Sequence, residues 1–237
     1  MNSKFLSFIK EVLPPFILKF LVSLKKKINK AKFLSSPKNQ ELDLYYDPKM
    51  AEILDMWGER NAWIEIQHIL HNKKDNKILD IACGTGKVID ILQKNLNLNK
   101  VYGCDISDFL IGKARNRGID KDKLKICDAT NLPYKKNEFD YNYSIGSLEH
   151  FTREGILKFL SSSMEVTRLT GYHMIPVSRN QKDNGWIVNH QSYFNNSLEW
   201  WLSLCSQVSS DFYFLDSSWE DEISVGKWIV INKNNDD

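Results

Sequence analysis

Short apolar runs alternate with amphipathic stretches through the middle of the chain. The runs have the length of buried strands, whereas the amphipathic stretches repeat their apolar positions with the period of a helix. We predict strands at 77–82, 101–105, 124–127, 138–144 and 172–177, and helices at 49–58, 61–71, 153–167 and in the stretches ending near 94 and 117. This alternation predicts right-handed βαβ units and hence an α/β fold, with a parallel sheet between two layers of helices.

The C-terminal part departs from this alternation. After a predicted helix near 198–205, two apolar runs at 211–215 and 227–232 are joined by a short acidic loop. Consecutive strands with a short connection pair as an antiparallel hairpin. We therefore expect a hairpin at one edge of the sheet.

The first 34 residues form a separate basic segment. They carry eight lysines and one acid, which gives +7, so the rest of the chain holds −5 of the total net charge of +2. Charged residues interrupt each apolar stretch before it reaches the ~20 residues of a spanning helix, and the lysines follow the apolar part, unlike those of a signal peptide. The pattern predicts amphipathic helices that contact either an anionic membrane surface or a protein surface.

Charge and composition divide the chain into a basic helical extension at 1–34, a linker and helical segment at 35–74, and an α/β domain at 75–237. The mildly acidic body has no basic stripe, which argues against a dedicated nucleic-acid binder. The cysteines lack the spacing of metal ligands, so we predict no metal site and no disulfide, but buried apolar positions in a reduced, cytoplasmic protein. They are Cys83, Cys104, Cys127 and Cys205.

A small-residue turn after the first predicted strand carries the strongest chemical signal. Gly84 and Gly86 flank Thr85 between that strand, which contains Asp80, and the next helix. Two glycines let the main chain approach a ligand, and a helix start beside the carboxyl end of a parallel strand binds nucleotide-like cofactors. Ile89 stands where a dinucleotide-binding motif has its third glycine, which disfavours NAD.

Further motifs follow this turn in a fixed order. They are Gly-Cys-Asp-Ile-Ser at 103–107, Asp-Ala-x-x-Leu-Pro at 128–133, Phe-Asp at 139–140 and Ser-Leu-Glu-His at 147–150. Together with Leu-Asp-Ile-Ala-Cys-Gly-Thr-Gly at 79–86, the series resembles class I S-adenosylmethionine-dependent methyltransferases over about residues 75–180. The resemblance implies a Rossmann-like, doubly wound, mostly parallel seven-stranded sheet with an antiparallel edge hairpin. It also implies S-adenosylmethionine as the cofactor.

The resemblance implies roles for individual residues as well. Asp80 and the backbone at 84–86 would hold the methionine amino and carboxylate groups, and Asp105 would bind the ribose hydroxyls. Residues 128–129 would contact the adenine, and residues 144–145 would line the floor beneath the sulfonium. The full set implied to bind the cofactor is Asp80, Ala82, Gly84, Gly86, Asp105, Ile106, Asp128, Ala129, Ser144 and Ile145.

The acceptor side depends on residues outside this common core. His150 follows the fourth strand at the mouth of the cleft, where it is either a general base or a residue that only lines the pocket. In similar enzymes the helical segment before the domain folds over the cofactor as a lid. Candidates for acceptor binding are Tyr45, Tyr46, Trp57, Arg179, Trp186 and His190.

A basic amphipathic N-terminus before such a core resembles enzymes of bacterial surface-glycan assembly. The first hypothesis is therefore methyl transfer to an oxygen on a sugar, phosphate or phosphoramidate group of a capsule precursor, at the inner face of the cell membrane. A small aromatic or quinone acceptor is the second hypothesis, and a non-catalytic cofactor- or partner-binding module is the third. The weak basicity of the body disfavours RNA as an acceptor.

Overall fold

A computed structural model describes residues 40–56, 62–188 and 191–233 of the 237-residue chain. The basic segment at 1–34, Trp57 and His190 lie outside the described residues, and their roles stay predictions. Within the described ranges no group of His, Cys, Asp and Glu side chains could hold a metal ion, and the cysteines are free thiols. In the same ranges no helix is long and apolar enough to cross a membrane.

Helices connect β1 to β2, β2 to β3 and β4 to β5, as predicted. The strands are β1 (Ile78–Ile81), β2 (Val101–Asp105), β3 (Leu124–Ile126), β4 (Phe139–Ile145), β5 (Thr167–Ser178), β6 (Trp186–Ile187), β7 (Tyr193–Phe194), β8 (Phe212–Glu220) and β9 (Ser224–Asn232). The α-helices are α1 (Pro48–Met56), α2 (Ala62–Leu70), α3 (Lys87–Leu96), α4 (Asp108–Asn116), α5 (Arg153–Glu165) and α6 (Leu198–Cys205). Short 3-10 helices lie at Asp43–Tyr46, Lys121–Lys123 and Leu148–His150.

Seven strands form one sheet in the order β3-β2-β1-β4-β5-β9-β8. β9 is antiparallel to both β5 and β8, whereas the other neighbouring pairs in this sheet are parallel. The predicted mostly parallel sheet with an antiparallel edge hairpin is thus confirmed. The strand order reverses at β1, which pairs with β2 on one side and β4 on the other. At such a reversal the carboxyl ends of the strands leave a crevice for a ligand.

Helices cover both faces of the sheet. The helices α2, α3 and α4 pack on one face, in a core that contains Ile66 and Ile89. The helices α5 and α6 pack on the other face, in a core that contains Phe159 and Trp201. Because successive side chains of a strand point to opposite faces, each central strand contributes to both cores.

A single carboxylate ties α2 to the edge hairpin. Glu65 Oε1 accepts hydrogen bonds from the backbone N (2.5 Å) and Oγ (2.6 Å) of Ser218, and Oε2 accepts from Ser217 Oγ and Trp228 Nε1, both at 2.7 Å. Burial raises the pKa of Glu65, but these hydrogen bonds lower it by more, so the pKa lies below its ordinary value. The pairing of β8 with β9 is irregular over this stretch, which lets its serines reach α2.

Candidate active site

The chain turns from β1 into α3 within a few residues. Ala82, Gly84 and Gly86 adopt left-handed backbone conformations, with φ of 58°, 54° and 72°. The backbone N of Gly86 donates to the carbonyl oxygen of Cys83 at 2.9 Å, and α3 begins at Lys87. Because a non-glycine residue with positive φ is uncommon, Ala82 marks this turn as a strained segment held by its surroundings.

Asp105, the last residue of β2, braces this turn. Its Oδ2 accepts a hydrogen bond from the backbone N of Gly84, and its Oδ1 accepts one from the backbone N of Ser107, both at 2.9 Å. Burial raises the pKa of the Asp105 carboxyl, and the backbone donors limit that rise. Each oxygen keeps a further lone pair, so the carboxyl can also accept hydrogen bonds from a ligand.

A central cavity of about 610 Å³ opens at the crevice between the carboxyl ends of the strands. Tyr45 and Leu54, which precede the α/β domain, line it together with Cys127, a residue expected to be core. Burial raises the pKa of Tyr45 to about 12, so its hydroxyl stays neutral and accepts a hydrogen bond from Gln191 Nε2 at 3.4 Å. The residues predicted to bind the cofactor that line this cavity are Ala82, Gly84, Asp105, Ile106, Asp128, Ala129 and Ile145.

A second space, the turn cavity of about 450 Å³, lies beside the Gly turn and contains Asp80. Asp80 is 4% exposed and accepts a hydrogen bond from the Tyr143 hydroxyl at 2.9 Å. Burial raises the pKa of Asp80 well above its ordinary value; Tyr143 opposes that rise and the charge of Asp105 adds to it. Lys87 also lines this cavity, with Nζ 5.4 Å from the centroid of the Trp63 ring. An acid and a cation thus line one small space.

A third space, the side cavity of about 670 Å³, lies toward β5 and the edge hairpin. Its lining includes aromatic and acidic residues, and no Lys or Arg is among the described residues that line it. Leu54 and Ile145 line the side cavity, the central cavity and the turn cavity alike. The three spaces therefore meet at these two side chains.

His150 and Glu149 are buried at the side cavity. His150 Nδ1 lies 2.7 Å from the carbonyl oxygen of Ser192, and because a carbonyl only accepts, Nδ1 carries the proton and Nε2 has the lone pair. Burial lowers the pKa of His150 to about 4 and raises that of Glu149 to about 8. Glu149 Oε1 lies 3.7 Å from His150 Nε2, and its Oε2 has no hydrogen-bond partner among the described residues. Both groups are therefore neutral near pH 7.

Two residues predicted to contact the cofactor lie elsewhere. Gly86 lines none of the three cavities; a Cβ there would overlap Ile119 Cδ1 and lie 2.8 Å from Ala114 Cβ, so this glycine allows α4 to pack against the turn. Ser144 is fully buried, and its Oγ lies 2.9 Å from His173 Nδ1. The alternation of side chains along β4 points Ser144 into the core and leaves Ile145 at the cavities.

The residues predicted to bind the acceptor are dispersed. Tyr45 lines the central cavity, whereas Tyr46 is 49% exposed and lines none of the three spaces. Trp186 is buried in the short β6–β7 ribbon, where its ring packs edge-on against Phe194 at 5.0 Å. Arg179 donates to Glu220 Oε2 at 2.9 Å and to a backbone carbonyl at 2.8 Å, and lines none of the cavities. Trp186 and Arg179 therefore lie outside the three cavities, and their predicted role in acceptor binding stays a prediction.

Several cavity residues were not predicted from the sequence. Leu54, Gln191 and Trp219 come from α1, from the connection before β7 and from the irregular part of β8. None of these positions belongs to a motif, so no local signal marks them. Glu149 does carry a signal, because its motif was recognised, but only the structure places its carboxyl in the side cavity.

The sheet order, the Gly turn on α3 and the acid closing β2 define the class: a Rossmann-like fold of the methyltransferase type. Residues 78–171 match the model of a family described as the methyltransferase domain. In a crystal structure, an S-adenosylmethionine-dependent methyltransferase from Methanosarcina mazei shares the fold, with a TM-score of 0.58 and 18% identity over 70% of this chain and 96% of that one. The family match identifies a methyltransferase domain at residues 78–171, a class for which S-adenosylmethionine is the cofactor, and the crystal structure shows that the fold is shared.

Curated relatives differ in the acceptors that their names give. The probable tRNA methyltransferase 9B of Homo sapiens is 31% identical over 155 residues, which cover 65% of this chain and 32% of the human protein. The ubiquinone/menaquinone biosynthesis C-methyltransferase of Campylobacter jejuni is 28% identical over 172 residues, covering 70% of this chain and 72% of that protein. The chain thus spans about a third of the length of the human relative.

The residues present fit this cofactor. Its sulfonium and ammonium groups are cationic, and Asp80 is a buried acid that no ion pair joins to a cation in the described ranges. At Gly84 a Cβ would meet only Leu54 Cδ1, at 3.6 Å, so the missing side chain leaves room over the turn.

Proposed function

We propose that this protein transfers a methyl group from S-adenosylmethionine to a hydroxyl oxygen of a small acceptor held in the side cavity. A sugar hydroxyl of a surface-glycan precursor is the first candidate acceptor. One observation carries the proposal: the side cavity meets the cofactor-side cavities at Leu54 and Ile145, and holds His150, whose Nδ1 is hydrogen-bonded to the Ser192 carbonyl.

The cofactor side is assigned as the motifs imply. Asp80 would hold the methionine ammonium, Asp105 the ribose hydroxyls, and the segment at 128–129 the adenine. When bound, S-adenosylmethionine supplies an already activated methyl group and keeps the electron pair of the broken carbon–sulfur bond. The protein therefore has mainly to position the acceptor and exclude water, which is worth roughly 7–11 kcal/mol of barrier in well-oriented systems.

His150 is the proposed proton acceptor. Its Nδ1–H bond to the Ser192 carbonyl fixes the tautomer, and its low pKa keeps Nε2 unprotonated at neutral pH. As the acceptor oxygen bonds to the methyl group, the hydroxyl proton passes to Nε2. A positioned base of this kind contributes about 10²–10⁴-fold in rate. Protonated Glu149 would donate a hydrogen bond to an oxygen of the acceptor.

The charge of the side cavity favours a neutral acceptor group. Asp221 is among its lining residues, the Glu149 carboxyl there is neutral, and Arg179, one of the residues predicted to bind the acceptor, is paired with Glu220 instead. An anionic phosphate or phosphoramidate would be bound there without a counter-charge. Carboxyl groups beside the rings of Tyr193 and Trp219 suit a sugar, which presents both hydroxyls and an apolar face.

A small aromatic or quinone acceptor is the second candidate. The Campylobacter relative named for quinone methylation is matched over most of its length, and the apolar side chains of Ile53 and Leu54 can pack on a ring. Because other relatives are named as tRNA methyltransferases, an RNA acceptor belongs in the same test, and the expectation of no nucleic-acid partner stays a prediction.

The basic segment at 1–34 is proposed to hold the protein at the inner face of the cell membrane, near lipid-linked acceptors. Its support is the charge asymmetry of the sequence, +7 against −5 for the rest of the chain. A cytoplasmic enzyme of this kind would be recruited by anionic lipid and not inserted as a spanning helix.

Methyl transfer from radiolabelled S-adenosylmethionine tests the acceptor class. The panel contains glycosides, the same sugars as phosphates, a catechol and bulk tRNA. We expect transfer to an uncharged glycoside, and the His150→Gln variant should lose at least about tenfold in turnover, as expected for removal of a base. Because the pKa of His150 is about 4, turnover should stay level down to about pH 5 and fall below it.

The matched control is Tyr46→Phe, at an exposed position outside the cavities. Transfer only to tRNA or only to phosphorylated sugars would refute the proposed acceptor. Saturable cofactor binding without transfer to any acceptor in a cell extract would favour the non-catalytic module, and no saturable binding would refute the methyltransferase assignment.

A further inference from the structure

An ion pair joins α1 to the Gly turn. Arg117, at the C-terminal end of α4, donates from Nη2 to Asp55 Oδ1 at 2.7 Å and from Nε to the carbonyl oxygen of Thr85 at 3.1 Å. The Thr85 hydroxyl also donates to Asp55 Oδ1 in a short hydrogen bond. Thr85 is 3% exposed, so α1 is attached to a buried part of the turn. We call Arg117, Asp55 and Thr85 the clasp.

The residue next to the clasp lies where the three cavities meet. Leu54 precedes Asp55 in α1, and its Cδ1 lies 3.6 Å from the position that a Cβ at Gly84 would take. Leu54 is also a lining residue of the central, turn and side cavities. A shift of α1 away from the turn would therefore merge the three spaces and expose them to water.

The same segment is held at its other end. Ser107 Oγ donates to the carbonyl oxygen of Tyr45 at 2.8 Å, and Gln191 Nε2 donates to the Tyr45 hydroxyl. A ligand that extends from Asp105 in the central cavity to Asp80 in the turn cavity lies beneath Tyr45 and Leu54. Residues of the segment 45–55 therefore form part of the wall around such a ligand.

We propose that Asp55 is a positioning residue, which holds Leu54 over the cofactor through the clasp and sets the rate at which cofactor and product leave. Asp55 itself touches neither the methyl group nor the acceptor. The inference rests on the cofactor assignment but not on the identity of the acceptor.

The geometry favours arginine for this contact. The planar guanidinium reaches the Asp55 carboxylate and the Thr85 carbonyl with two different nitrogens, which a lysine ammonium on a single atom would not reproduce. The side chain of Asp55 is 39% exposed and that of Arg117 22% exposed, so salt should weaken the pair. A contact of this strength can open and close during turnover without unfolding the domain.

The dissociation rate of S-adenosylhomocysteine, the demethylated product, tests the effect of the clasp on release and requires no acceptor. Intrinsic tryptophan fluorescence in a stopped-flow displacement reports the dissociation rate, since Trp63 lines the turn cavity. We expect Asp55→Asn to raise this rate roughly three- to tenfold, as expected for loss of one partly exposed charged hydrogen bond. Higher ionic strength should speed release from the wild type and leave the variant unchanged.

Arg117→Gln and the double variant Asp55→Asn/Arg117→Gln complete a double-mutant cycle. If the pair acts as a unit, the double variant releases the product no faster than either single variant. Arg117→Lys, which keeps the charge, gives a second measurement should Asp55→Asn fold poorly. The control is Asp90→Asn, which removes an exposed pair with Lys94 on α3 and should not change release.

The proposal would be overturned if every variant binds the product and releases it at the wild-type rate. Effects of the two single variants that simply add would also refute a clasp acting as a unit. Failure of the wild type to bind S-adenosylhomocysteine or S-adenosylmethionine would instead refute the cofactor assignment, so the two failures are distinguishable.

Discussion

At the scale of single residues, the two glycines of the turn have different physical roles. Gly84 faces the cavities, with only Leu54 near the position of its absent Cβ, whereas Gly86 is in close contact with α4. The packing of Ile89, which stands where a third glycine would be expected, depends on another glycine. Ile89 Cδ1 would lie 2.6 Å from a Cβ on Gly103, so a glycine in β2 provides the space that a glycine on the helix would otherwise provide.

These roles predict that one alanine substitution mainly affects stability and the other mainly affects cofactor binding. Gly86→Ala should lower the free energy of unfolding by about 2–4 kcal/mol, because the new methyl group overlaps Ala114 and Ile119 at a left-handed position. Gly84→Ala should cost less stability but weaken S-adenosylmethionine binding by at least about tenfold, because the methyl group enters the cavity. Urea unfolding and titration calorimetry measure the two quantities.

Gly118→Ala is the matched control for both substitutions. Gly118 has φ of 96° and no atom within 4 Å of the position that a Cβ would take, so its variant reports the cost of positive φ alone. Wild-type cofactor affinity in Gly84→Ala would contradict the assignment of this glycine to the cofactor side.

At the scale of elements, the sequence predicts what is local and misses what depends on tertiary packing. β1 and β2 are short, mainly apolar runs, and β4 alternates apolar with polar residues. The motif residues at their ends lie together because parallel strands share an edge. The strand at 172–177 begins in the structure at Thr167, since residues before it still pair with β4 and β9. The β6–β7 ribbon that buries Trp186 has only two residues per strand, too few for any period to be recognised.

The contact between α2 and the edge hairpin should contribute measurably to the free energy of unfolding. Glu65 accepts four hydrogen bonds from β8 and β9, and a glutamine in its place cannot accept all of them. We expect Glu65→Gln to lower the free energy of unfolding at pH 7 by about 1.5–3 kcal/mol, as for hydrogen bonds to a charged group. It should also disturb Trp219 in the side cavity, which follows the bound serines.

The pH dependence of this effect has a defined sign. The pKa of Glu65 is lower in the folded protein than its ordinary value of 4.5. Its contribution is therefore complete above that value and is lost as the pH falls through the folded pKa. The difference between wild type and Glu65→Gln in urea unfolding should shrink as the pH is lowered below about 4.5. Glu154→Gln, on the exposed side of α5, is the control, and an equal effect there would refute the proposed role of Glu65 in holding α2 to the hairpin.

At the scale of the whole molecule, the site is assembled from segments far apart in sequence. The motifs at the strand ends predicted one side of the central cavity, because they lie within one continuous βαβ domain. Leu54, Gln191 and Trp219 complete the cavities from α1, the loop before β7 and the edge hairpin. Their placement depends on how these segments pack on the sheet, which no local spacing encodes. The acceptor side was for this reason less predictable than the cofactor side.

The charge distribution over the whole chain leads to the final prediction. A segment with a net charge of +7 is joined to a body of −5, so an anionic surface attracts one end of the molecule and repels the other. Each lysine near an anionic bilayer contributes about 1 kcal/mol, so the proposed contact of the segment at 1–34 would suffice for peripheral binding. The full chain should therefore sediment with phosphatidylglycerol vesicles and not with phosphatidylcholine vesicles.

Two variants distinguish membrane binding from packing of the segment on a protein surface. Deletion of residues 1–34 should abolish sedimentation and leave the Kd for S-adenosylmethionine unchanged, because the cofactor cavities are built from later residues. Replacing Lys25, Lys26 and Lys27 by glutamate should reduce vesicle binding at least about tenfold, since it reverses three charges while keeping the apolar stripe. If the segment instead packs on the domain, the deletion would lower the melting temperature, and vesicle binding would be absent from the full chain or insensitive to the three charge reversals.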